Sequence, residues 1–184
     1  MEIVFETHST SLDNEAGVAS GHSDVDLSPR GEREAAALGA RRREDGIEIV
    51  YASDLRRSWR TAEIAFGMSG VAILRDSRLR ECDYGQLTGR PVHEIDVLRE
   101  RAVAEPFPGG ESYRQVVSRV MSWLEEMRSF NVRRLLVVGH RATHYSLEHL
   151  LLGTPVVEAV RKPFIWRPGW VYKLTEDRTT WTLS

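Results

Sequence analysis

Two histidines of the sequence each follow a short apolar segment. His8 stands three positions beyond residues 3–5, and His140 comes two positions after residues 135–138. Both segments predict buried strands, and ligands of open α/β sheets bind just outside the carboxyl ends of such strands. Small hydrogen-bonding side chains, among them Ser9 and Asn14, surround the first histidine and could furnish a pocket. The alternative for His8 is a turn histidine that only ends a strand.

An arginine and a carboxylate accompany the two histidines. Arg57 lies near the start of a predicted helix that follows a second apolar segment, and Glu81 lies in a long polar loop, residues 78–90. Arginines and helix N-termini suit anions, phosphate in particular. Two histidines, an arginine and a carboxylate match phosphoryl transfer through a covalent intermediate.

Other polar and aromatic residues have more than one interpretation. His140 and His144 stand one helical turn apart and could hold zinc, but the glutamate of the metalloprotease pattern is absent between them, so we expect no metal. His144 could instead line a pocket beside His140. Three residues near the C-terminus could either wall that pocket or pack in the core: Trp166, Arg167 and Trp170.

The elements that position these residues alternate between strands and helices. The predicted strands cover residues 2–5, 47–51, 71–74, 135–138, 170–174 and 180–183, with Asp177 in the last turn. The predicted helices cover residues 29–45, 55–66, 91–103, 112–127 and 141–152. Serines at 28 and 112 supply N-caps, and residues 6–28 form a second long polar loop of a kind that is usually functional. This alternation predicts an α/β sandwich in one domain, residues 1–184.

The composition limits the classes of partner. The 184 residues carry a formal net charge of −2, so charge gives no reason to expect nucleic acid binding. The single cysteine, Cys82, cannot form an internal disulfide, and the N-terminus has no signal-peptide pattern, which together predict a cytoplasmic protein. No apolar run reaches membrane-spanning length, so we expect no membrane partner. The oligomeric state stays open.

His8, Asn14, Arg57, Glu81 and His140 follow one another along the chain in an order that resembles the motifs of the histidine phosphatase family, also called the phosphoglycerate mutase-like family. That family opens with Arg-His-Gly, any residue, then Thr or Ser, with Asn three positions further on. Here Thr7, His8 and Ser9 stand at the first three places, and Asn14 stands at the last. The other matching motifs are Ser53-Asp54-Leu55-Arg56-Arg57, Leu79-Arg80-Glu81, Pro108-Gly109-Gly110-Glu111-Ser112 and Val137-Val138-Gly139-His140.

The resemblance implies a three-layer α/β/α sandwich around a mostly parallel sheet. It also implies a phosphatase that acts on a small phosphorylated substrate and needs no metal or other cofactor. His8 is then the nucleophile, Arg57 and His140 hold the phosphate oxygens, and Glu81 protonates the leaving oxygen and later activates water. The further hydrogen-bond donors to phosphate are Ser9 and Asn14.

Two positions depart from the family's first motif. Thr7 replaces the arginine that helps bind phosphate, and Ser9 replaces the glycine. Loss of the arginine removes a fixed positive charge and a bidentate fork. Arg141, which directly follows His140, either supplies the missing charge or is a surface arginine; His144 is a second candidate for that role.

Three functions follow from these motifs. A phosphatase comes first, because only a short stretch separates Glu81 from Pro108, whereas cofactor-dependent mutases of the family carry a long insertion there. A phosphoglycerate mutase is the second. The third is a phosphate-ligand binding protein of low activity, which the threonine at position 7 motivates.

Overall fold

A six-stranded sheet, in the order β3-β2-β4-β1-β5-β6, forms the centre of the protein. The computed structural model describes residues 1–174 and 180–183, with the backbone alone at 181, so the predicted turn at Asp177 lies outside the described residues. The strands are β1 Glu2–Thr7, β2 Ile49–Ala52, β3 Ala72–Arg75, β4 Arg134–Gly139, β5 Trp170–Leu174 and β6 Trp181–Leu183. Strands β1 to β4 run parallel, and β5 and β6 are antiparallel to their neighbours. The prediction of a mostly parallel sheet is confirmed.

The register of β1 against β4 decides where the two histidines meet. Thr7 pairs with Gly139, so His8 and His140 leave adjacent strands at the same edge of the sheet. Strand β2 ends beside them because Ala52 pairs with Val138. The carboxyl ends of three parallel strands therefore converge where ligands of such sheets bind.

Helices cover both faces of the sheet. They are α1 Leu12–Ala16, α2 Pro29–Arg42, α3 Arg56–Phe66, α4 Val92–Asp96, α5 Tyr113–Met127, α6 Arg141–Leu152 and α7 Val156–Arg161. Alternate residues of β1 serve the two faces: Val4 packs in one core cluster with Ala62 of α3, whereas Phe5 packs in the other with Trp123 of α5. Because α2 packs on α3 and α5 on α6, the expected three-layer sandwich is confirmed. No helix within residues 1–174 and 180–183 is long and apolar enough to cross a membrane.

The structure departs from the predicted elements at three places. The first polar loop along the chain, residues 6–28, contains α1, which begins with a capping box between Ser11 and Asn14. The predicted helix over residues 91–103 is only α4 and a separate 3₁₀ turn, Arg101–Val103. Its apolar pattern misleads, since Val97 is exposed while Arg99 is buried. The short helix α7 follows Pro155 and was not predicted.

Candidate active site

The two predicted histidines meet at the carboxyl edge of the sheet. The His8 backbone N–H donates to the Gly139 carbonyl at 2.9 Å, and the ring centroids of His8 and His140 lie 5.0 Å apart. A cavity of about 530 Å³ opens beside them, a size typical of small-molecule sites. Seven candidate site residues from the sequence analysis line this cavity: His8, Ser9, Asn14, Arg57, Glu81, His140 and Arg141.

The surroundings of His8 hold its ring in the neutral form. Burial, together with the positive charge of Arg57, lowers the pKa of His8 from 6.5 to about 3. The hydrogen bond between Nδ1 and the Ser9 carbonyl, at 2.7 Å, acts in the opposite direction. Because a carbonyl only accepts, we assign the proton to Nδ1, which leaves the lone pair on Nε2. His8 therefore has the electronic state of a nucleophile.

Arg57 is a buried cation with a fixed orientation. It lies in the first turn of α3, and its Nη1 and Nη2 donate to the carbonyls of Ser23 and Gly21, each at 2.8 Å. These bonds tie the first polar loop to α3, so the loop and the guanidinium form one rigid wall of the cavity. Burial lowers the pKa of Arg57, and the carboxylate of Glu81 is the largest opposing influence.

His140 is buried without a hydrogen-bond partner. Its side chain stands at the N-cap of α6, and neither Nδ1 nor Nε2 contacts a partner among the described residues. Burial, and then the charge of Arg57, lower the pKa of this histidine well below its usual range. An unsatisfied buried polar group is costly, so the ring is poised to bind a ligand that enters the cavity.

Backbone N–H groups orient the carboxylate of Glu81. Its Oε1 accepts from Cys82 N at 2.8 Å and from Ala142 N, in the first turn of α6, at 3.3 Å. The second donor links the long polar loop of residues 78–90, which we call the acid loop, to α6, the helix whose N-cap is His140. The carboxylate is thus fixed beside the two histidines, although it comes from a different part of the chain.

Arg119 of α5 holds the backbone around Glu81, and the sequence analysis missed it. Its guanidinium donates to three carbonyls of the acid loop, those of Arg78, Arg80 and Glu81, at 2.7, 2.8 and 2.8 Å. It also forms two hydrogen bonds with the Glu111 carboxylate, both at 3.0 Å. No local pattern could indicate this role, because the contacted carbonyls lie 38 to 41 positions away in sequence.

Ser9 and Asn14 each form a structural hydrogen bond with one of their polar groups and keep another polar group for a ligand. The Ser9 backbone N–H donates to Thr61 Oγ1 at 3.0 Å. The side-chain oxygen of Asn14 accepts from Ser11 N at 3.0 Å, within the capping box of α1. The Ser9 hydroxyl and the Asn14 amide nitrogen remain available as donors, which is the capacity that the sequence analysis assigned to them.

The structure separates Arg141 from His144. Arg141 Nε donates to the Tyr145 hydroxyl at 3.2 Å, and its guanidinium carbon lies 5.3 Å from the Phe164 ring centroid, at the cavity wall. The His144 ring instead lies 4.4 Å from the Trp170 ring, in a second pocket of about 310 Å³. Of the alternatives left open for His144, a place in the wall of the first cavity is not the one observed, because its ring packs against aromatic core residues.

The segment after α7 runs between the two pockets. Trp166 lines the first cavity, Ile165 and Arg167 line the second, and Phe164 lines both. The predicted wall residues thus divide: Trp166 contributes to the first cavity, and Trp170 packs in the core with the Arg167 guanidinium 4.9 Å from its ring centroid.

Arg99 is a cavity-lining cation that the sequence analysis did not single out. It is 5% exposed, and its Nε donates to Asp96 at 2.7 Å while its Nη1 donates to the Tyr113 hydroxyl at 2.9 Å. The sequence predicts one continuous helix there and gives no sign that this side chain turns inward.

A model of the histidine phosphatase superfamily, branch 1, matches residues 3–184. The chain belongs to this superfamily. A putative phosphoserine phosphatase 2 of Hydrogenobacter thermophilus is 32% identical over 154 residues, which cover 79% of this chain and 76% of that protein. A probable phosphoglycerate mutase of Erwinia tasmaniensis is 32% identical over 164 residues, which cover 84% of this chain and 76% of that protein.

Solved structures share the histidine phosphatase fold of this chain. A mycobacterial glucosyl-3-phosphoglycerate phosphatase in complex with VO3 superposes with a TM-score of 0.87 and 22% identity, covering 99% of this chain and 96% of the other. A Bacillus stearothermophilus protein, YhfR, gives a TM-score of 0.86 and 20% identity, covering 100% of this chain and 95% of the other. At this identity the likeness concerns the fold alone.

Proposed function

We propose that this histidine phosphatase superfamily member hydrolyses a phosphate monoester through a phosphohistidine at His8. The observation that carries the proposal is the convergence of a neutral His8, a fixed Arg57 and an unpartnered His140 on one cavity. A dianionic phosphate offers a binding partner to each of these groups. Its phosphorus is an electrophile for Nε2 of His8, and its oxygens accept hydrogen bonds from Arg57 and His140.

In the first step, His8 Nε2 attacks phosphorus. The P–N bond forms as the P–O bond to the leaving group breaks, and Glu81 gives its proton to the departing oxygen. Arg57 and the His140 ring hold the non-bridging oxygens as charge develops, with Ser9 and Asn14 as further donors. Loss of one such donor typically costs about a hundredfold to a thousandfold in kcat.

In the second step, a water molecule attacks the phosphohistidine. The Glu81 carboxylate takes a proton from the water, the new P–O bond forms, and the P–N bond breaks to return neutral His8. Inorganic phosphate leaves the cavity. No metal ion takes part in this sequence.

Steady-state hydrolysis of p-nitrophenyl phosphate tests the proposal. We expect activity in the wild type and none above background in His8→Ala, while His93→Ala, which changes an exposed histidine outside the cavity, keeps full activity. Activity that survives His8→Ala contradicts the proposal. Transfer of phosphate between hydroxyls of phosphoglycerate, without release of inorganic phosphate, indicates a mutase instead.

A further inference from the structure

His22 joins the first polar loop to the acid loop at Glu81. Its Nε2 lies 2.8 Å from the Glu81 carbonyl oxygen, which stands 59 positions further along the chain. Because a carbonyl only accepts, we assign a proton to Nε2, which donates this bond. His22 is not among the described residues that line the cavity. Any effect of its ring on the chemistry therefore passes through Glu81.

The turn that carries His22 is held by Arg57. The Arg57 guanidinium donates to the carbonyls of Gly21 and Ser23, the residues on either side of His22, at 2.8 Å each. Gly21 has a φ of +47°, and a Cβ at this position would lie 3.2 Å from the backbone nitrogen of Tyr84. Glycine thus lets the turn lie closely against the acid loop. The guanidinium proposed to hold the phosphate also fixes the turn that contacts the acid loop.

The Glu81 carbonyl accepts hydrogen bonds from two directions. Arg119 Nη2, on α5, donates to it at 2.8 Å in addition to His22. A carbonyl oxygen has two lone pairs, so the two donors fill its capacity. Arg119 ties the backbone of Glu81 to α5, whereas His22 ties it to the first polar loop and through that loop to Arg57.

Two carboxylates flank the His22 ring beyond hydrogen-bond distance. Asp83 Oδ2 lies 3.7 Å from Nδ1, and Glu111 Oε2 lies 3.8 Å from Nε2. Glu111 is already paired with Arg119. Among the described residues, the Glu81 carbonyl is the one hydrogen-bond partner of the ring. His22 thus contributes an N–H donor at a defined place, which the Nε2 of a glutamine can also supply.

We propose that His22 is a positioning residue for the proton donor: its hydrogen bond holds Glu81 at a fixed place relative to Arg57 and the phosphate. This inference rests on the function proposed for His8. The acid must reach the leaving oxygen while Arg57 holds the other oxygens, so the distance between these two side chains matters for catalysis. A misplacement of about 1 Å in a catalytic group can cost roughly a hundredfold in rate.

The dependence of the rate on the leaving group tests the inference. His22→Leu removes the donor, so we expect kcat for alkyl phosphates to fall roughly tenfold with little change in KM. The rate on p-nitrophenyl phosphate should stay nearly unchanged, because its leaving group needs little protonation. His22→Gln should restore most of the loss. His93→Leu, which changes an exposed histidine outside the cavity, is the matched control and should equal the wild type.

Hydrogen exchange at Cys82 reports the same effect without turnover. The Cys82 backbone N–H donates to Glu81 Oε1 at 2.8 Å, so its protection follows the placement of the carboxylate. We expect this amide to exchange roughly tenfold faster in His22→Leu than in the wild type. His22→Gln and His93→Leu should both exchange at the wild-type rate.

The outcomes separate this inference from the proposed function. If hydrolysis depends on His8, the inference is overturned by no loss in His22→Leu, by an equal loss on both kinds of ester, or by failure of His22→Gln to restore the rate. The phosphatase then stands. If the wild type hydrolyses no ester, the proposed function falls and Cys82 exchange decides. Faster exchange in His22→Leu alone supports the positioning role, and equal rates in all four proteins reject it.

Discussion

At the scale of single residues, burial and the charge of Arg57 together keep both histidines neutral. Burial and Arg57 lower the pKa of His8 and of His140, so both rings are neutral in the empty cavity at ordinary pH. The two ring nitrogens of His140, which have no hydrogen-bond partner among the described residues, cost roughly 1–3 kcal/mol each when left unsatisfied. Binding of a phosphate relieves this cost, so substrate affinity and site stability are linked.

Thr7, which stands where the family resemblance places an arginine, lines the cavity. Thr7→Arg adds a guanidinium fork near the phosphate, and charge-assisted hydrogen bonds are worth about 1.5–3 kcal/mol each. We expect kcat/KM for p-nitrophenyl phosphate to rise roughly tenfold to a hundredfold. Thr7→Val, of similar size and without charge, is the control and should bring no gain.

A double-mutant cycle decides whether Arg141 already replaces the missing arginine. Because Arg141 Nε donates to the Tyr145 hydroxyl and its guanidinium lies against the Phe164 ring, we expect the effects of Thr7→Arg and Arg141→Met to be additive within about 0.5 kcal/mol. A gain from Thr7→Arg that appears only when Arg141 is absent means that Arg141 compensates after all.

Glu81 should reveal its proton through the leaving group. Glu81→Gln keeps the size of the side chain but cannot donate an acid proton. We expect a loss of roughly a hundredfold or more in kcat/KM for alkyl phosphates and a much smaller loss for p-nitrophenyl phosphate, whose leaving group needs little protonation. Equal losses on both esters indicate that Glu81 only orders the loop.

At the scale of elements, α5 acts on the site without contacting the cavity. Arg119 donates to three backbone carbonyls, those of residues 78, 80 and 81, while the carboxylate of its partner Glu111 also accepts from Asp83 N at 3.0 Å. The orientation of the Glu81 carboxylate is therefore set in two ways. Arg119 fixes the backbone carbonyl of Glu81, and the first turn of α6 donates a hydrogen bond to its side chain. The acid loop has no regular structure from residue 80 to 84, so these bonds supply the rigidity that a strand or helix supplies elsewhere.

Arg119→Met should therefore resemble a partial Glu81→Gln. We expect roughly a tenfold loss on alkyl phosphates, little loss on p-nitrophenyl phosphate, and no further loss when Arg119→Met is added to Glu81→Gln. Arg114→Met, which changes an exposed arginine on the same helix, is the matched control. A uniform loss on all esters, additive with Glu81→Gln, means that Arg119 serves stability alone.

At the scale of the whole molecule, buried neutral histidines make the fold sensitive to acid. Burial, and then Arg167, lower the pKa of His144 from 6.5 to about 4. Glu148 Oε1 lies 3.7 Å from its Nε2 and is the one carboxylate near the ring among the described residues. Below pH 6.5 the unfolded chain takes up a proton that the folded chain refuses, so the free energy of unfolding falls with falling pH.

His144→Phe should reduce this acid sensitivity. A histidine whose pKa is lower in the folded state than in the unfolded state reduces the free energy of unfolding by about 1.4 kcal/mol for each pH unit between the two pKa values. His144 therefore accounts for a loss of roughly 3 kcal/mol between pH 6.5 and 4. Urea unfolding across this range should show a shallower fall in the variant than in the wild type or in His93→Phe, an exposed control. Parallel curves for all three proteins contradict the assignment.

The sequence predicts the parts of this molecule that local patterns encode. Short apolar runs locate β1 and β4, and with them the positions of His8 and His140 at the ends of adjacent strands. Contacts between distant segments are not encoded locally, so the role of Arg119 could not be predicted. Arg99 turns inward at a place where the sequence predicts one continuous helix. Helical spacing left the place of His144 open, because a step of one turn keeps a residue on the same face but does not fix which pocket its ring enters.

Detection of a phosphorylated His8 tests the central claim most directly. Rapid quench of the enzyme with a ³²P-labelled ester should trap an adduct that is labile in acid and stable in base, and peptide mapping should place it on His8. His8→Ala should trap none, and Glu81→Gln should retain the adduct longer because hydrolysis of the phosphohistidine is slowed. An enzyme that hydrolyses the ester without an initial burst of product, and carries no label on His8 at any quench time, contradicts the account.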